Sequence, residues 1–110
     1  MVRRALLSCA ATQLLRSLIA RTGLDPDEIF VGRFRSVDWQ SLTFTGERHI
    51  LVLRLAGADP AGALAGLRDG LAEAEWQLRG HVVADIVIVS ESVADDGSIV
   101  VGIEALTLSD

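Results

Sequence analysis

The run His49-Ile50-Leu51-Val52-Leu53-Arg54-Leu55-Ala56 decides how this chain is read. Both alternating faces are apolar except at Arg54, which predicts a strand at a central position in a sheet. Working back toward the N-terminus, Gly46-Glu47-Arg48 predicts a tight return, and about Trp39–Thr45 predicts the strand before it. Further back, Phe30, Gly32 and Phe34 alternate with Val31, Arg33 and Arg35, a period of two that predicts a first strand from Ile29. Three consecutive strands joined by short turns imply an antiparallel meander.

Helical periodicity flanks this block on both sides. Over roughly 3–21, Leu7, Ala11, Leu14, Leu15, Leu18 and Ile19 recur at three- and four-residue spacing, and Gly23 stands where a helix would stop. Leu24-Asp25-Pro26-Asp27 then predicts a turn. Beyond the meander, Asp59-Pro60 opens a second helix with an acidic cap and proline at the first helical position. Leu64, Leu67, Leu71 and Ala74 form its core stripe. Gly62, Gly66 and Gly70 form a separate ridge at intervals of four. Each glycine costs a helix about 1 kcal/mol relative to alanine. The ridge is therefore either a tolerated weakness or a line of close approach by another element or subunit. Arg79-Gly80 predicts a turn. Val82–Glu91 and Ile99–Leu108 predict a terminal hairpin across Ala94-Asp95-Asp96-Gly97. The expected architecture is one α+β domain over residues 1–110, in the order α-β-β-β-α-β-β. The sheet is mainly antiparallel, with two helices packed on it.

With 110 residues, half of them hydrophobic, the chain is long enough for one core and too apolar for intrinsic disorder. A formal charge of −5 argues against general nucleic-acid binding. The charge is uneven. Six Arg lie in residues 1–35, whereas residues 80–110 hold six acidic residues and no Arg. Such asymmetry describes either two solvated ends of one domain or unlike patches that meet between identical subunits. All ten basic residues are Arg, which favours planar contacts with carboxylates.

Chemistry is sparse. Arg3-Arg4 ahead of Ala5–Cys9 superficially resembles a lipoprotein signal, but the apolar run before Cys9 is only three residues long, against a core of roughly 7–15. Cys9, the single cysteine, is expected as a partly buried small hydrophobe on the first helix. The two histidines, His49 and His81, lack companions at metal-ligand spacing; His81 and Asp85 are expected on one strand face without a third ligand. No phosphate loop, dinucleotide fingerprint or nucleophile elbow is present, so no catalytic residue, cofactor or metal is expected. Arg54 and Asp85 break the longest apolar stretches, so no membrane partner is expected. Trp39 and Trp76 are either core residues or interface anchors.

The order of these features resembles the tail-terminator (tail completion) family of long-tailed phages and phage-derived gene transfer agents. The resemblance rests on Arg35-Ser36-Val37-Asp38-Trp39 before the polar Gln40–Gly46 stretch, and on Glu47-Arg48-His49 leading into the apolar strand. The alanine-rich helix after Asp59 follows, then Glu75–His81, which looks like the family's apolar-x-Leu-x-Gly-His turn. Val82–Val89, Asp95-Asp96-Gly97 and a final strand ending Glu104–Thr107 complete it. Nearly the whole chain is covered. Only Thr22–Glu28 stand where the family often carries a longer loop with a Pro-Tyr pair.

The resemblance implies a non-catalytic structural protein, made in the cytoplasm and carried in the tail of a virion or phage-like particle. Its subunits would form a ring with one another, usually a hexamer, or stay single until they meet the tube. The ring would stop polymerisation of the tail-tube protein and present a surface to the head connector, with DNA only passing through its lumen. Trp39, Thr43, Phe44, Glu47 and Arg48 on one hairpin, with Gly62, Gly66 and Gly70, are the residues expected at subunit or partner interfaces. A small ligand-binding domain or enzyme, or a regulatory adaptor pairing through a sheet edge, are the alternatives.

Overall fold

The structure, a computed structural model, describes residues 7–109. The stretch 3–6 of the expected first helix and the Arg3-Arg4 motif lie outside the described residues. The first helix, α1, is Cys9–Thr22. It begins later than its apolar spacing predicts because Ser8 caps it, its hydroxyl accepting from the Ala11 amide at 3.1 Å. Gly23 ends it with φ 70°, a left-handed conformation that glycine adopts without a Cβ penalty. Leu14 and Leu18 are fully buried, with Leu15 and Ile19 beside them. Cys9, expected as partly buried, is exposed, because the core stripe of α1 starts one residue later at Ala10. A single 3-10 turn, Pro26–Glu28, fills the predicted turn and leads into the sheet.

The sheet is antiparallel throughout, with strands β1 (Ile29–Gln40), β2 (Thr45–Leu55), β3 (His81–Val93) and β4 (Ile99–Ser109) in the order β1-β2-β4-β3. The α+β class with two helices is as predicted, and the apolar run from His49 is indeed interior, between β1 and β4. The separate strands expected through Arg35 and from Trp39 are one strand. Ser36, Val37 and Asp38 stay extended and pair with His49, Arg48 and Glu47. The return falls at Ser41–Phe44, where the Ser41 amide bonds the Phe44 carbonyl at 2.8 Å and the Ser41 hydroxyl accepts from the Phe44 amide at 3.1 Å. Gly46-Glu47-Arg48, expected as the turn, therefore lies within β2.

Helix α2 is Pro60–Arg68, capped by Asp59, whose carboxylate accepts from the Gly62 amide at 2.9 Å. It is shorter than its Leu stripe predicts. Gly70 takes φ 60° and turns the chain into a 3-10 turn, Leu71–Glu73, so Leu71 and Ala74 are not on the helix. Leu71 nonetheless reaches the core. The guanidinium of Arg21 ties the two helices together. It donates to the carbonyl of Leu67 (3.3 and 3.4 Å from its two nitrogens) and to that of Asp69, a cation on the open carbonyls of a helix end. It also stacks on Trp76, 5.7 Å from the ring centroid. The hairpin turn at Ala94–Gly97 forms as predicted, with Asp96 accepting from both the amide and the hydroxyl of Ser98.

Three register shifts interrupt the ladders. Each places one extra residue on an outer strand: Gly32 in β1, and Ala84 and Val89 in β3. The β2–β4 pairing runs from Gly46 to Leu55 without a break.

Candidate functional site

Both helices lie on one face of the sheet. That face carries Leu51, Leu53, Leu55, Val101 and Ile103, all fully buried beneath Leu14, Leu18 and Leu67. Toward one end the same face turns polar at His49. This imidazole is fully buried, with Ser36 Oγ 2.7 Å from Nδ1 and Thr107 Oγ1 2.8 Å from Nε2. The edge of the Phe34 ring points at it, with centroids 6.0 Å apart. Burial holds its pKa below the ordinary histidine value, an effect that nearby Glu47 opposes and His81 reinforces. A neutral ring donates from one nitrogen and accepts at the other, and two hydroxyls match either tautomer. His49 thus completes a polar patch inside the core, with no open approach for a substrate.

A shallow cavity of about 320 Å³ opens near this end, lined by Asp38, Trp39, Glu47, His81 and Thr107 among others. Among the described residues no three His, Cys, Asp or Glu side chains group closely enough to hold a metal ion. His81 and Asp85, expected on one strand face, lie on opposite faces. The extra residue Ala84 between them shifts the alternation by one, so His81 pairs with Ser109 and Asp85 with Leu106. No helix of the described residues is long and apolar enough to cross a membrane.

Among the described residues, no element lies over the other face of the sheet. Registers across all four strands set its residues in rows, in the order β1, β2, β4, β3. Trp39–Gly46–Leu108–Val82 form the first row and Val37–Arg48–Leu106–Asp85 the second. Arg35–Ile50–Glu104–Val87 form the third, Arg33–Val52–Gly102–Ser90 the fourth and Phe30–Arg54–Val100–Ser92 the last. Phe30 is 52% exposed, Val82 50% and Val87 46%, whereas Ile50, Val52, Leu106 and Leu108 are half-buried by their neighbours. Apolar side chains on an uncovered sheet face are candidates for contact with another molecule. The four arginines of this face stand on β1 and β2, and its carboxylates, Asp85 and Glu104, on β3 and β4. On this surface the basic and acidic residues thus stand on opposite halves.

The expected interface residues divide between several places. Thr43 and Phe44 lie in the exposed β1–β2 turn beside Leu42, whose side chain has no cover at all (105% exposed). Trp39 and Arg48 lie half-buried on the bare face. Glu47 points to the helix face, where the Ser8 hydroxyl donates to it at 2.7 Å. Gly62 sits under the Asp59 cap, and a side chain at Gly66 would come 3.0 Å from the Arg21 carbonyl, so α1 and α2 cross closely there. Gly70 lies in the turn after the helix. The remaining residues of the bare face were not singled out from the sequence. The available signal was that β2 and β4 are apolar on both faces while two short helices can cover only one.

No protein-family model matches the chain, and comparison with curated proteins gives no match. Among solved structures, the chain is similar to one described as "Virion of native gene transfer agent (GTA) particle", with a TM-score of 0.53, 18% identity and 91% of each chain covered. At that identity the likeness is one of fold.

Proposed function

We propose that this chain is a structural, non-catalytic protein of a phage-type or gene-transfer-agent particle, forming a ring at the end of the tail tube. The observation that carries the proposal is the fold shared along nearly the whole chain with a chain of a gene transfer agent virion. The bare apolar sheet face and the uncovered turn at Leu42–Phe44 support it, because a chain built this way has surfaces to bury against neighbours. In this role the ring caps the last layer of tube protein, stops its growth and offers its far side to the head connector. Thr43 and Phe44 at the turn, with Trp39 and Arg48 behind them, are the side chains free to meet those partners. Glu47 and Gly66 are already engaged within the chain.

Co-expression with the tail-tube protein of the same genome tests the proposal, read by negative-stain electron microscopy of the tubes. Tubes of bounded length, with this chain at one end, are expected. Tubes that grow to the same lengths with and without it, and carry none of it, would refute the role.

A further inference from the structure

We infer that the bare face of the sheet is a self-association surface on which two copies of this chain stack face to face about a two-fold axis parallel to the strands. The inference does not rest on the tail proposal, because it concerns the chain alone. A six-fold ring has no two-fold axes, so the pair is a form of the free chain that opens before ring assembly.

Three observations single out a second copy as the occupant. The first is charge. A two-fold axis along the strands, between β2 and β4, lays β1 of one copy over β3 of the other and β2 over β4. The arginine-bearing half of each copy then covers the carboxylate-bearing half of its partner. Each row meets the same row reversed, so the partner's Glu104 comes over Ile50, beside Arg35 and one row from Arg48. Turning the axis across the strands would instead set Arg35 on Arg35 and Glu104 on Glu104, and like charges oppose that stack.

The second observation is shape. In the aligned stack Leu108 faces the partner's Gly46, and Val52 faces the partner's Gly102. Leu108 and Val52 therefore each stand opposite a residue with no side chain of its own, which lets packed sheets approach to about 10 Å. Gly102 is itself overhung by Val89 and Ser90 of its own chain, so the partner's Val52 meets those side chains and not an open gap.

The third observation is area. Four strands spaced about 4.8 Å apart, each about 11 residues long, present a face of roughly 500–600 Å². Two such faces bury about 1,000–1,200 Å², near the lower bound for a specific interface. The pair is therefore expected to be reversible and salt-sensitive.

Sedimentation velocity over a concentration series tests the inference on the purified full chain. Wild type is expected to show a monomer–dimer equilibrium that weakens at high salt. Glu104→Arg places like charges together at two symmetric points and should raise the dimer Kd about tenfold or more. Adding Arg35→Glu to that variant should restore pairing, because the opposite charges have only exchanged sides. A wild type that stays monomeric at its highest soluble concentration would overturn the inference, as would a dimer indifferent to both variants.

Cross-linking covers the case of variants that fold poorly, circular dichroism reporting on the fold. In a Cys9→Ser background, Val37→Cys combined with Asp85→Cys places the two thiols three strands apart within one copy but facing each other across the pair. A short bis-maleimide should then give a covalent dimer. Unlinked chains alone, under conditions where sedimentation shows the dimer, would refute the stacked geometry.

Discussion

Replacing His49 by leucine isolates the one polar patch inside the core. The substitution keeps roughly the same bulk but removes both ring nitrogens, leaving Thr107 Oγ1 and Ser36 Oγ without their partner. Thr107 is 1% exposed, so its hydroxyl can reach no water, and a buried unpaired hydroxyl costs about 1–3 kcal/mol. Ser36 is half-buried and recovers part of its bond from solvent. Leucine's extra apolar burial offsets some of the loss, as does release from keeping an imidazole dry. A net destabilisation of about 1–3 kcal/mol follows, and each kcal/mol lowers Tm by about 4–8 °C in a domain of this size. Thr107→Val added to His49→Leu removes the stranded acceptor and should return most of the loss, since deleting both members of a buried polar pair is nearly neutral.

The same pair of variants carries a pH signature. Burial lowers the folded pKa of His49, so the unfolded chain binds its proton more readily. The stability concerned is present above the ordinary value of 6.5 and is lost as pH falls through it toward the lower folded pKa. Urea unfolding at roughly pH 8 and pH 5.5 should show wild type losing more stability on acidification than His49→Leu does. Equal stabilities of the two chains at the higher pH, or equal losses on acidification, would refute this account of the patch.

Gly66→Leu should destabilise by about 1–3 kcal/mol, because a side chain there meets the Arg21 carbonyl, and thermal melts would show it. Asp59→Ala removes the cap of α2 and should cost about 0.5–2 kcal/mol in chemical denaturation. Leu51→Ala, deep beneath the helices, should cost about 2–5 kcal/mol, and a smaller loss would mean that the core collapses onto the gap. Phe44→Ser, in the exposed turn, should change stability by less than about 0.5 kcal/mol while weakening capture of tail tubes in a pull-down.

Much of the fold was legible because it rests on local signals. The cap at Asp59, the turn at Ala94–Gly97 and the doubly apolar run from His49 each act within a few residues, and each appears where its chemistry places it. Errors arose where a distant or weak signal decided. Ser36 and Asp38 look like turn formers, yet pairing with β2 keeps them extended, and the Ser41 hydroxyl makes the actual turn. Ala84 gives no local sign that it will be an extra residue, so alternation alone predicts His81 and Asp85 on one face. The candidate surface was half legible. The two-sided apolar character of the inner strands is visible, but only the position of both helices on one side shows that the described residues leave the second face open. The glycine interval allows either a tolerated weakness or close approach, and at Gly66 the element that approaches is α1 of the same chain.

The three extra residues of the sheet all fall on its outer strands, and the inner ladder has none. A regular outer strand is an open template, and a chain with two of them can add copies strand to strand without limit. Gly32 on one rim and Ala84 and Val89 on the other distort those templates, so that edge-to-edge growth into fibrils is disfavoured from both sides. With both rims distorted, the uncovered face and the β1–β2 turn are the apolar surfaces left for contact with other molecules. Deleting Ala84 and Val89 would restore a regular rim on β3 and remove that side's protection against edge-to-edge growth.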